Sequence, residues 1–140
     1  MRFVLDNSVV MRWLFGDGST SDLAYASHVL DTLGRPEARA LAPAIWPLEV
    51  ANVVARAEAQ GMMTEARSTA FVQLLQDLAI EVDTNTAQHA LESTLHLARR
   101  FGLSAYDAAY LDLALREGLP LATLDAGLLD AAAATGVARV

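Results

Sequence analysis

Apolar residues fall into two kinds of run along this chain. Short runs at Arg2 to Leu5, Ala40 to Ala42, Ile80-Glu81-Val82 and Leu119 to Thr123 read as strands. Longer stretches, Ser21–Leu33, Val50–Gln60 and Ala66–Leu78, carry apolar stripes at helical spacing. Polar and glycine punctuation separates them. Asp6-Asn7-Ser8 ends the first strand, and Val9 to Phe15 forms a helical turn or two. Gly16 to Thr20 is a loop, and Ser21 or Asp22 starts a helix that Gly34-Arg35-Pro36 stops. Pro43 to Pro47 turns the chain into a helix carrying Leu48 to Gln60, which ends at Gly61. Thr64 caps a helix to about Asp77. Thr84 or Thr86 starts a long helix to Arg100, terminated by Gly102. Ser104 starts another to Glu117, with Gly118 as its stop. Asp125 caps a short helix to about Ala134, and Val137 to Val140 forms a last strand. Strands alternating with helices, often two per crossover, predict an α/β fold with a short parallel sheet covered on both faces.

The length, 140 residues, suits one domain spanning 1–140. A hydrophobic fraction of 54% against 19% charged supplies a core and excludes disorder. There is no cysteine, so disulfide frameworks, thiol nucleophiles and cysteine zinc sites are excluded. Lysine is also absent, which removes P-loop phosphate binding and Schiff-base chemistry. The net charge of −7 argues against holding nucleic acid by a positive coat alone. It is compatible with a nuclease whose carboxylates hold cations. No run is long enough to span a bilayer, and the N-terminus is not a signal peptide. A soluble cytoplasmic protein is expected.

Position singles out four acids. Asp6 follows the first strand, Glu49 lies in the first turns of the helix after Ala40 to Ala42, and Asp125 follows the strand Leu119 to Thr123. Open parallel sheets bind ligands outside the carboxyl ends of their strands, which is where these three fall. Asp107, in the first turn of the helix opened by Ser104, follows a helix rather than a strand, so the pattern alone does not carry it there. Like charges brought together disfavour joint ionisation, and a divalent cation is the usual remedy. Each acid also has an ordinary structural role. Asp107 fits a capping box with Ser104, Asp125 an N-cap, Glu49 a dipole-favoured first-turn acid, and Asp6 an Asx turn.

The same acids sit in motifs that resemble those of the PIN-domain family, in particular VapC-type toxins. Asp6-Asn7-Ser8 resembles the opening D-x-S/T motif, and Pro47-Leu48-Glu49-Val50-Ala51-Asn52 the P-x-E-x-x-N motif. Ser104 to Tyr110 resembles the third motif, and Leu121-Ala122-Thr123-Leu124-Asp125 the L-x-T-x-D motif. The resemblance implies a three-layer PIN-like fold with a parallel sheet of four to five strands. It implies a Mg²⁺- or Mn²⁺-dependent endoribonuclease in which Asp6, Glu49, Asp107 and Asp125 form the catalytic metal site. Ser8, Asn52 and Thr123 would be its polar supports. It further implies RNA as substrate, a cognate antitoxin as partner and a homodimer. An inactive PIN-like module binding RNA or protein is the alternative. A phospho-accepting receiver domain is disfavoured by the missing lysine and by Asn7 after Asp6.

Other residues are given ordinary roles. Asp112 lies about 140° from Asp107 around a helix and is expected to face solvent. His28, His89 and His96 lack ligand-spaced partners and are expected at the surface or its boundary. Trp13, Trp46, Tyr106 and Tyr110 are expected as core or dimer contacts. Arg12 is a candidate phosphate contact, whereas Arg99-Arg100 reads as a solvated helix end.

Overall fold

Strand β1 (Arg2–Leu5) lies at the middle of the protein, and its last three residues are buried. A computed structural model describes residues 1–140. β1 pairs in parallel with β2 (Arg39–Ala42) on one side and with β4 (Leu121–Ala122) on the other. β2 pairs in parallel with β3 (Ile80–Val82), giving the order β3-β2-β1-β4. The expected strand Leu119 to Thr123 contracts to two residues. The expected last strand, Val137 to Val140, is reduced to a single parallel bridge between Leu121 and Arg139. Its backbone still bonds β4, through Leu121 N–H to Ala138 O at 2.9 Å and Val140 N–H to Leu121 O at 3.2 Å. The result is four strands with a partial fifth.

Eight α-helices connect and cover this sheet. They are α1 (Asn7–Phe15), α2 (Thr20–Leu33), α3 (Trp46–Ala59), α4 (Glu65–Asp77), α5 (Thr86–His89), α6 (Leu95–Phe101), α7 (Ala105–Glu117) and α8 (Ala126–Ala134). α2 begins one or two residues earlier than the Ser21 or Asp22 reading, because Ser19 makes a reciprocal capping box with Asp22. Ser104 and Thr64 cap α7 and α4 as their sequence predicts. The expected continuous helix from Thr86 to Arg100 is interrupted by a π turn, Ala90–Thr94, between α5 and α6. Neither glycine nor proline marks this break.

β1 and β2 supply the centre of the core, with Phe3, Val4, Leu5, Ala40 and Ala42 fully buried. α7 is buried through Ala108 to Leu113 and Ala114 on all sides, so it is an interior helix. That overturns the solvent-facing reading of Asp112, which is 3% exposed. An amphipathic argument assumes one wet face, and α7 has none across its middle. Asp112 is compensated instead. Its Oδ2 accepts from Arg116 Nε at 3.0 Å and from Thr94 of the π turn at 3.3 Å. Arg116 also donates to Asp83 at 2.7 Å. The histidines lie at the surface or its boundary, as expected. No helix is long and apolar enough to cross a membrane.

Candidate active site

The sheet order sets the carboxyl ends of β1 and β4 side by side. From β1 the chain winds outward through β2 and β3, then returns to the other side of β1 as β4. Such a reversal is a topological switch point, where open parallel sheets bind ligands. Asp6 leaves β1 at this point, and Thr123-Leu124-Asp125 leave β4.

Asp6 stands at the N-cap position of α1 but makes no side-chain cap bond. The residue is buried and its carboxylate is turned to two hydroxyls. Ser8 Oγ donates to Asp6 Oδ2 at 2.5 Å, and Thr123 Oγ1 donates to the same oxygen at 2.8 Å. Each hydroxyl also accepts a backbone N–H from the segment after β4, Ser8 from Leu124 and Thr123 from Asp125, both at 3.0 Å. The two hydroxyls therefore fasten the end of β1 to the end of β4 through Asp6. Burial pushes the Asp6 carboxyl above its usual range despite these donors, and the charge of Asp107 pushes it further.

Glu49 enters from the first turn of α3. Its Oε1 accepts a 2.7 Å hydrogen bond from the hydroxyl of Tyr110, a residue of α7 whose ring is fully buried. Partial burial raises the Glu49 carboxyl, and the charges of Asp6 and Asp107 add to the rise. Burial first, then the Glu49 carboxylate, drives the Tyr110 phenol far above its usual range, so Tyr110 stays a donor. Tyr110 was expected only as a core or dimer contact. It is core, and it also holds a site acid. Its spacing of three from Asp107 on a helix was the available signal.

Asp107 takes only half of the expected capping box. Its N–H bonds Ser104 Oγ at 3.0 Å, but its carboxylate does not return to the Ser104 N–H. Burial and the neighbouring charge of Asp125 raise its carboxyl. Asp125 does act as a cap, with Oδ2 accepting from Leu128 N–H at 2.9 Å. Asp6, Glu49 and Asp107 are thus mutually coupled, and Asp125 joins them through Asp107. As the side chains stand, no three of them converge closely enough to hold a metal ion together. Asn52 is exposed and makes no bond to the acids. It lines a shallow groove with Phe15, Arg56 and Met62 instead. Arg12 is tied to Asp17 at 3.1 Å.

The donor chemistry fits a hard divalent cation. All four groups offer carboxylate oxygen, and Glu49 and Asp125 each accept through one oxygen and keep the other for a ligand. Burial is the first cause of the three raised carboxyls, and the charges of neighbouring acids add a repulsive part that a cation would relieve.

Comparison with known proteins agrees with this geometry. No curated protein matches the chain. Among solved structures, VapBC2 from Rickettsia felis bound to a promoter DNA fragment aligns with a TM-score of 0.67 at 12% identity, covering 100% of this chain and 98% of that one. FitAcB from Neisseria gonorrhoeae aligns at 0.63 and 21%, covering 99% and 96%. A toxin–antitoxin complex from Klebsiella pneumoniae aligns at 0.57 and 16%, covering 88% and 86%. The PIN domain family model matches residues 3–134, a span containing all four acids and both of the hydroxyls that hold Asp6. With the four-stranded parallel sheet and the motif order pointing the same way, the chain belongs to the PIN domain family.

Proposed function

We propose that the chain is a metal-dependent endoribonuclease, the toxin of a toxin–antitoxin pair. The observation that carries this reading is Asp6, pinned by Ser8 and Thr123 at the end of β1, with the charge of Asp107 acting on it, both acting on Glu49, and Asp125 acting on Asp107. Asp6, Glu49, Asp107 and Asp125 would hold Mg²⁺ or Mn²⁺. Such an ion supplies Lewis acidity toward a phosphodiester and a nucleophilic water at neutral pH. Asp6 is fixed, so it sets the position of the site. Tyr110 aims Glu49 and leaves its second oxygen for a ligand or a proton. Asp107 stands one helical turn before Tyr110 on α7, with Ser104 beside it. Asn52, exposed and three residues after Glu49 on α3, would be a polar support beside it.

Water as nucleophile leaves a 5′-phosphate and a 3′-hydroxyl. Incubation of purified protein with RNA and Mn²⁺, followed by end mapping, should give those ends, and EDTA should stop cleavage. Asp6→Ala and Asp107→Ala should abolish it while circular dichroism stays unchanged. Full activity in both variants overturns the reading.

The Klebsiella complex supports an antitoxin partner. So do the apolar groove between α3 and α4, lined by Trp46, Val50, Val72 and Leu75, and the exposed Leu74. A homodimer in the cytoplasm belongs to the same proposal. One observation favours a second reading, a PIN-like module that binds without cutting: no three acids converge as they stand. Calorimetry with Mn²⁺ separates the two, since the module should show no saturable heat.

A further inference from the structure

We propose that Tyr106 is a stacking platform for an unpaired nucleobase of single-stranded RNA, next to the phosphate to be cut. This rests on the ribonuclease reading and assigns its substrate contact. Tyr106 is 60% exposed and its hydroxyl bonds nothing in the chain, so of the two roles expected of it, core or dimer contact, it does not fill the first. It lies four residues before Tyr110 on α7, hence on the same stripe, one turn nearer the open end. Tyr110 touches Glu49 at 2.7 Å, so that stripe looks toward the acids. Tyr106 also directly precedes Asp107, about 3.8 Å away along the backbone. A base stacked there belongs to the nucleotide at the acids or its immediate neighbour.

Charge gives an independent reason for stacking. The protein carries −7 and no lysine, so little RNA affinity can come from counterion release. Several arginines are also occupied. Arg12 is bonded to Asp17, Arg116 is held between Asp83 and Asp112, and the Arg139 guanidinium lies 3.9 Å from the Tyr25 ring centroid. Stacking on an aromatic face adds affinity without positive charge and tolerates any base.

The test is steady-state cleavage of a single-stranded oligoribonucleotide with Mn²⁺ by the wild type, Tyr106→Ala, Tyr106→Phe and Tyr106→Trp. A series of oligonucleotides carrying one 2-aminopurine, scanned across the cut site, reports stacking by quenching. Tyr106→Ala should raise KM by about tenfold with kcat moving less than about twofold, while Phe and Trp retain the wild-type KM. Quenching should peak beside the cut site and vanish in Tyr106→Ala. If the wild type cleaves and Tyr106→Ala matches it in KM and quenching, the platform is wrong and the nuclease stands. If the wild type neither cuts nor binds RNA, both fall. If Tyr106→Ala leaves KM intact and instead changes the sedimenting mass, Tyr106 is a protein contact and the inference is overturned.

Discussion

Two hydroxyls decide how Asp6 is presented. Ser8 and Thr123 each donate to the same carboxylate oxygen and each accept one backbone N–H after β4. Thr123→Val keeps the shape of a fully buried side chain but leaves Asp6 short of a donor and the Asp125 N–H short of an acceptor. It should cost about 1–3 kcal/mol in urea unfolding and lower cleavage roughly 10- to 100-fold, the scale of a lost support behind a metal ligand. Tyr110→Phe removes only the hydroxyl that aims Glu49 and leaves the ring in the core. Its stability loss should be about 1 kcal/mol, read from the same unfolding curves. A clear fall in kcat with KM unchanged would identify Glu49 orientation as its role. Sequence alone does not separate a cap from a support at Ser8 and Thr123, because either role uses the same residue at the same place. The deciding fact is pairing across 115 positions of chain between Ser8 and Thr123, which no local pattern reports.

At the scale of elements, most boundaries were legible, since caps and glycine stops are local signals. Ser104 and Thr64 start helices as read, and Gly102 and Gly118 stop them with positive φ values of 63° and 64°. What escaped was set by packing. α7 is interior, so its polar residues have to be satisfied from within, and Asp112 is the example. The π turn Ala90–Thr94 belongs to the same arrangement, for it carries Thr94 against Asp112. Arg116 is the keystone of this cluster, bonded to Asp112 at 3.0 Å and Asp83 at 2.7 Å with all three side chains largely buried. Arg116→Ala would strand two carboxylates without a counter-charge. Loss of about 3–5 kcal/mol is expected in denaturant titration, the penalty for breaking rather than replacing a buried pair. Burial alone would raise the Asp83 carboxyl, but Arg116, the Asn85 N–H and the Thr86 hydroxyl together bring it below its usual value. Its contribution is therefore present above the ordinary carboxylate range and is lost as pH falls through the lowered folded value. Arg116→Ala should shrink that acid-side loss, leaving the part due to the Asn85 N–H and the Thr86 hydroxyl.

For the whole molecule, strand order was the step sequence could not take. Four acids could be assigned to a sheet edge, but only the order β3-β2-β1-β4 sets β1 beside β4 and brings Asp6 to Thr123. Asp107, which no strand delivers, arrives because α7 packs against β1 and Tyr110 reaches Glu49. This convergence opposes stability near neutral pH. Asp6, Glu49 and Asp107 all have carboxyls raised first by burial, and neighbouring acids add to each rise. Between the ordinary carboxylate value and the raised folded values, the native state binds more protons than the unfolded chain. Stability from these groups is therefore full below the ordinary value and is lost as pH rises through the folded ones. Asp83 acts in the opposite sense, so the metal-free protein should reach its highest Tm at a mildly acidic pH, not at neutrality. Asp6→Asn keeps an acceptor oxygen for Ser8 and Thr123 while deleting the buried charge. At neutral pH without metal it should raise Tm by about 4 °C if the relief is about 1 kcal/mol. Mn²⁺ should reverse the ranking. At a hundred times its Kd it adds about 2.7 kcal/mol to the wild type by mass action, and less to Asp6→Asn, which has one fewer anionic ligand. That gain should shrink as pH falls, because protons compete for the same oxygens. Thermal scans of both proteins across pH, with EDTA and with Mn²⁺, measure all four quantities. An unaltered Tm order on adding metal would mean that Asp6 is a buried structural acid and the cation binds elsewhere or not at all.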